Sequence, residues 1–291
     1  MPNRTRIIGC VINCFNLLLK PTNMKKSISI LALSALMLLV MGCDKIDIDN
    51  THKPYTPTSG GKTVLIKDFT GARCVNCPAA AEAAHELQHE LGEDRIFIMS
   101  VHAGFLAQPL GSFPDFTTEE GTAWYNNNSS NPLFSVDQVS LTEGNTLYVE
   151  QIDKPVSDGL AESQLFEVSI ENDFDESTRL LKVNNTFNVT GESTSKYYAT
   201  ICLLEDSIVG RQVVPGGVDT AYVFRNVFRG TLNGADGELV SNGSIYVNDA
   251  FTTSCTKELD PAFNADQCYV LTYIYDFESG KIMQTGMKKV K

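Results

Sequence analysis

Past residue 43 this sequence has no apolar run that could cross a bilayer, which takes about 20 residues in a helix, so a helical span is not expected there. It has no phosphate-cradling glycine loop, no G-x-S-x-G elbow and no dinucleotide fingerprint. The usual nucleotide-dependent and serine-hydrolase chemistries are therefore excluded, and no cofactor is expected. Cations are few: 23 Lys and Arg stand against 35 Asp and Glu, a net charge of −12. Such a chain repels nucleic acid and anionic lipid, so neither is an expected partner. Histidine is scarce as well, at four residues, and Trp124 is the one tryptophan.

What is present begins near the N-terminus. Met24-Lys25-Lys26 opens a basic start, Ile28–Met41 is apolar, and Gly42-Cys43-Asp44 follows. The order is that of a secretory signal with a small residue before a cysteine. It resembles a bacterial lipoprotein signal with Val40-Met41-Gly42-Cys43 as lipobox, which implies acylation of Cys43 and a mature chain starting there. Residues 1–42 then form the signal segment, with the true start at Met24. Processing removes five cations and no acid, taking the net charge from −12 to −17. The lipid is then the expected link to the membrane. Residues 43–62, polar and broken by Pro54, Pro57 and Gly60-Gly61, read as a flexible tether. The acidic start Asp44–Asp49 resembles the tag that sends some lipoproteins to the cell exterior.

Two domains are expected beyond the tether. Residues 63–162 mix strands and helices in β-α-β order: strands over Val64–Phe69, Arg95–Val101 and Pro132–Val139, and helices over Ala79–Leu91, Phe116–Asn126 and 147–162. Residues 163–291 alternate apolar and polar in seven strand-like runs with glycine punctuation, which suggests an immunoglobulin-like sandwich. The expected class is α+β, an α/β domain followed by an all-β one.

The chemistry concentrates in Val64-Leu-Ile-Lys-Asp-Phe-Thr-Gly-Ala-Arg-Cys-Val-Asn-Cys-Pro78. A strand runs into a turn, then into Cys74-x-x-Cys77 at the start of a helix. Free N–H groups and the helix dipole there favour a thiolate, and two thiols at this spacing can close and reopen a disulfide. The segment resembles the thioredoxin active-site region, with Asp68 six positions before Cys74. That resemblance implies Cys74 as nucleophile, Cys77 as resolving thiol and Asp68 as a buried carboxylate assisting proton transfer. It also implies a cis-proline opposite the cysteines, for which Pro132 is the candidate. Arg73 replaces the tryptophan usual before the first cysteine and would favour a thiolate. A structural disulfide capping the helix is the alternative reading.

Other signals are weaker. His85-Glu-Leu-Gln-His89 has the zinc-protease spacing, but the helix must turn Ala80, Ala83/Ala84, Leu87 and Leu91 to the sheet. His85 and His89 then point to solvent, and neither His52 nor His102 offers a third ligand, so no metal is expected. His102 ends a strand, where α/β domains place functional groups, though a plain loop histidine is the commoner case. Cys255 and Cys268 are either bridged or buried free thiols. Asp206-Ser207-Ile208 and Asp219-Thr220-Ala221 resemble short O-glycan acceptor sites.

Taken together, Asp68–Gly71, Cys74–Pro78, Ser100–Gly104, Ile208–Gln212 and Tyr222–Arg229 with Gly237-Glu238 resemble the outer-membrane lipoprotein family named for a twenty-eight-kilodalton protein. The resemblance implies a thioredoxin-like domain followed by an immunoglobulin-like one, at the outer membrane and on the cell surface. It implies a binding or interaction protein, an adhesin or receptor, with a protein or peptide partner. The alternative is a lipid-tethered thiol–disulfide oxidoreductase using Cys74 and Cys77; whether the chain is an enzyme stays open.

Overall fold

A computed structural model describes residues 61–291, which lie in one compact unit. The signal segment, lipobox and most of the tether lie outside the described residues. Val64–Thr70 forms β1, Cys77–Leu91 α1 and Ile96–His102 β2. β1 and β2 pair in parallel, in unbroken register from Val64↔Ile96 to Thr70↔His102. Glu119–Tyr125 is α2, Leu133–Val136 is β3 and Asp153–Ala161 is α3. β3 lies antiparallel on the free side of β1.

Side chains alternate between the faces of a strand, and β1 is buried on both. Val64 and Ile66, with Ile96 and Ile98 of β2, pack under α1 and α3 against Ala80, Ala84, Val156 and Leu160. Leu65 and Phe69, with Met99 and Val101, face the other way onto Trp124 of α2. Thr118 caps α2, accepting from the Gly121 N–H at 2.9 Å.

The rest of the chain is β-structure: Phe166–Asp175 (β4), Leu180–Val189 (β5), Lys196–Glu205 (β6), Ile208–Val214 (β7), Gly217–Phe224 (β8), Val227–Thr231 (β9), Glu238–Asn242 (β10), Ala250–Glu258 (β11), Cys268–Asp276 (β12) and Ile282–Lys289 (β13). The largest sheet runs β13-β12-β6-β9-β2-β1-β3, with β10 also on β6. It takes strands from both sides of residue 162, and its core joins Leu65, Met99 and Phe228 to Leu204, Leu271 and Tyr273. A three-stranded sheet, β11-β5-β4, packs on its far end through Ile170, Leu181, Val183, Ile201 and Val270. The class is α+β, rich in sheet.

Two local expectations need correction. The run expected over 220–229 is two strands, β8 and β9, because Asn226 sits at φ 48°, a left-handed conformation that interrupts an extended run. The strand expected over 244–254 begins only at Ala250, as β11, and β7 and β10 were not expected at all. Of the two readings left open for Cys255 and Cys268, the structure shows free thiols, Cys268 buried and Cys255 half-buried, and Cys202 is a buried free thiol as well.

Candidate functional site

β1 ends in a turn that only glycine can make. A Cβ on Gly71 would lie 2.6 Å from the backbone of Leu106 and Ala107. Cys74 N–H returns to the Gly71 carbonyl at 3.0 Å, and Arg73 N–H reaches the Leu106 carbonyl at 3.1 Å. α1 then begins at Cys77, with Pro78 in its first turn, where a missing N–H is harmless. Cys74 and Cys77 are joined as a disulfide, with their Cα atoms 5.4 Å apart.

This disulfide is covered. Cys74 is 1% and Cys77 2% exposed. The β7–β8 hairpin, paired only with itself, lies over the turn. Val213 N–H donates to the Ala72 carbonyl at 2.9 Å, and the buried Gln212 side chain donates to the Cys74 carbonyl at 2.8 Å. Arg73 does not serve the sulfurs as the sequence suggested. Its guanidinium donates to the Phe105 carbonyl and stacks 4.7 Å from the Phe105 ring.

Beyond the apolar pairs under α1, the same face of β1 and β2 turns polar. Asp68 and Thr70 stand beside Ser100 and His102 by register, at the C-terminal ends of both strands. These four floor a cavity of about 240 Å³, walled by Cys77, Glu82 and His85 of α1 and by Tyr222 and Phe224 of β8. Asp68 is buried, its Oδ1 has no hydrogen-bond partner among the described residues, and burial pushes its carboxyl up to about 7. His102 is buried too, and neither ring nitrogen has a hydrogen-bond partner among the described residues. Burial, and then the Arg229 charge, lower it to about 3 against a smaller opposing effect of Asp115. Phe116 and Phe224 hold the imidazole edge-on, at centroid distances of 4.9 and 5.6 Å.

Asp68 and Cys77 line one cavity, and Pro132 lines another beside Asn76, the residue between the two cysteines and next to Cys77. The Asn131–Pro132 peptide is cis, and Pro132 shares a separate cavity of about 570 Å³ with Asn76, Ala79 and Ala83. The first turns of α1 divide the two cavities. His85 also departs from expectation, being half-buried at the Asp68 cavity with Nδ1 3.1 Å from Gln88 Oε1. His89 is exposed, 3.0 Å from Glu93. Among the described residues no cluster of three or more His, Cys, Asp or Glu is placed to hold a metal ion.

Sequence reasoning missed Lys67, Gln212 and the wall residue Phe224. Lys67, on the opposite face of β1 from Asp68, is fully buried with Nζ 3.9 Å from the Trp124 ring centroid and 4.8 Å from that of Tyr273. It donates to the Val139 carbonyl at 2.7 Å, and burial lowers it to about 7. A single lysine in phase with Leu65 and Phe69 was the available signal.

No protein-family model matches the chain, and no curated protein matches it. Among solved structures, HBP35 of Porphyromonas gingivalis is similar with a TM-score of 0.61 at 17% identity, over 80% of this chain and 77% of that one. That likeness is one of fold. A domain of the outer membrane lipoprotein Omp28 from Porphyromonas gingivalis aligns at 18% identity over 44% of this chain and 89% of that one, with a TM-score of 0.30.

Proposed function

We propose that this chain is an outer-membrane lipoprotein held by acylated Cys43, and that its folded unit binds a protein or peptide partner while Cys74–Cys77 serves as a staple. The observation that carries this reading is the cover over the disulfide. Exchange needs in-line approach of a thiolate to one sulfur, and a bridge with both cysteines at most 2% exposed, roofed by a hydrogen-bonded hairpin, restricts that approach to the small cavity that Cys77 lines. The staple instead fixes the turn at the start of α1, the point where β1, α1 and β7 meet. The lipobox residues Val40–Cys43 and the acidic stretch after them support anchoring and display at the surface. The motifs of the twenty-eight-kilodalton lipoprotein family support a thioredoxin-like half around β1, α1, β2 and β3. The three-stranded sheet packed on the large one is the feature that favours an immunoglobulin-like second half.

The test is a reduction potential together with trapping by Cys77→Ser, which leaves Cys74 free. A staple gives a potential below about −300 mV and traps no partner. A potential near those of exchange-active pairs, with a partner covalently captured, overturns the reading in favour of a thiol–disulfide oxidoreductase. One observation favours that second reading: Asp68, held near neutrality by burial, opens onto the same cavity as Cys77 and is placed to take a proton there. Such activity requires the β7–β8 hairpin to leave the turn.

A further inference from the structure

The cavity above Asp68 combines features that a structural void lacks. Its floor carries a carboxylate oxygen and two imidazole nitrogens, all buried and without a hydrogen-bond partner among the described residues. Buried polar groups are normally satisfied, so three orphans around one opening mark a place where a ligand, or water standing in for it, completes the bonding. Its wall is aromatic. Tyr222 and Phe224, two apart on β8, turn the same way, with ring centroids 4.8 Å apart.

Asp68 and Glu82 line it together with Arg225, and the Arg229 charge reaches His102 on its floor. The acids acting on Tyr222 are Asp68, Glu82 and Asp219, against the single base Arg225. Arg225 is exposed, and no ion pair joins it to Asp68 among the described residues. The carboxylates of Asp68 and Glu82, the π-faces and the neutral acceptors on Ser100, Thr70 and His102 suit a positively charged group that donates several hydrogen bonds. A metal ion does not suit the arrangement, since no donor cluster is present among the described residues.

We propose that the cavity between the ends of β1 and β2, α1 and β8 is a binding site for a small organic cation, an alkylammonium or guanidinium group. Asp68 is its counter-ion, and Tyr222 and Phe224 form its aromatic wall. The cation is either a free amine or the side chain of a lysine or arginine on a partner; the chemistry at the site is the same. The proposal deepens the binding-protein reading and rests on it.

Entry of the cation stabilises ionised Asp68, so binding strengthens with pH and releases a proton. Glu82 from α1 and Arg225, the residue after β8, also line the cavity. His102 from β2 stays neutral. His85 from α1 lines the same cavity, so His85→Gln serves as the control that isolates Asp68.

The test is calorimetric titration of the full chain with methylguanidinium, n-propylammonium, and the capped tripeptides Gly-Arg-Gly and Gly-Lys-Gly. The expected result is saturable binding that tightens about tenfold from pH 6 to 8, as a group titrating near 7 goes from about one-tenth to nine-tenths ionised. That slope persists in His85→Gln. Binding falls at least tenfold in Asp68→Asn, and falls in Tyr222→Leu with the pH slope retained. Tighter binding of the tripeptides assigns the site to a partner's side chain; equal binding assigns it to a free amine. No saturable binding of any probe to the wild-type chain, or binding unchanged in a folded Asp68→Asn, overturns the proposal. Neither result touches the staple, which Cys77→Ser trapping judges separately; a trapped partner with cation binding intact removes the binding-protein reading and leaves the site.

Discussion

Adjacent residues of β1 bury one ionisable group on each face, and the two faces treat their group differently. On the α2 side, Lys67 lies over Trp124 and Tyr273 and donates to the Val139 carbonyl. On the α1 side, Asp68 has an oxygen without a partner among the described residues and a cavity in front of it. The first group is enclosed by a core cluster that includes Leu65, Phe69, Leu204 and Tyr273. The second sits where the apolar floor under α1 stops. A buried charge with its partners supplied by the fold belongs to the architecture, whereas one left incomplete beside an opening is where the fold leaves room for something else.

The largest effect that would sharpen this contrast is on stability against pH. Lys67 binds its proton more weakly folded than unfolded, so its penalty is full below pH 7 and fades as pH rises toward 10.5. Lys67→Met removes that penalty. We expect it to stabilise the protein at pH 6, by at most roughly 5 kcal/mol after the shift is converted, less about 1 kcal/mol for the abandoned Val139 carbonyl. The gain disappears by pH 10. Urea unfolding across pH measures it, and a loss of stability at pH 6 would mean that the cation–π contacts outweigh the cost of burial.

Asp68 has the opposite sign. Its folded carboxyl holds its proton more tightly, so its penalty is absent below about pH 4 and grows to full size above pH 7. Asp68→Asn is expected to match the wild type at pH 4 and to gain up to about 3 kcal/mol at pH 8, an amount trimmed because the amide brings unmet donors of its own. His102 opposes it: lowered to about 3, it adds a penalty at low pH that fades by about pH 6.5. In the wild type the two slopes between pH 4 and 6.5 nearly cancel. Removing either one should expose the other. His102→Phe, whose ring keeps the contacts to Phe116 and Phe224, should leave a protein that loses stability as pH rises from 4 to 7. A flat profile in both variants would break the distinction between the faces.

Asp68, the cysteine pair and α1 were legible because they lie within one local pattern, a strand, a glycine turn and a helix start. His102 was legible as the end of a strand. Thr70 and Ser100 were not, because nothing in either strand states that Thr70 sits beside His102 and Asp68 beside Ser100; register is a property of the pair. The cover over the disulfide was hidden for a different reason. β8 is exposed over most of its length, so it lacks the alternation that betrays a half-buried strand. β7 is broken by Gly210 and Arg211, and its key residue, Gln212, lies 138 positions from Cys74. The expected separation at residue 162 rested on texture alone, a mixed segment followed by an alternating one. Texture does not reveal that Ser100 of β2 pairs with Val227 of β9 and so places both segments in one sheet.

The smallest expected effect concerns that cover. Gln212 ties β7 to the Cys74 carbonyl with one side-chain bond, while the Val213 to Ala72 backbone bond remains in Gln212→Ala. Losing it should cost only about 1 kcal/mol in global stability. Local opening is governed by the contacts of the hairpin, which among the described residues forms a two-stranded sheet of its own, so the same loss should raise the rate of disulfide reduction by a small thiol about fivefold. Reduction kinetics of wild type and Gln212→Ala, followed by thiol labelling, give the comparison directly. An unchanged rate would mean that reduction proceeds by unfolding of the whole unit, in which case the hairpin is no gate and the α1 side of β1 is as closed around its disulfide as the α2 side is around Lys67.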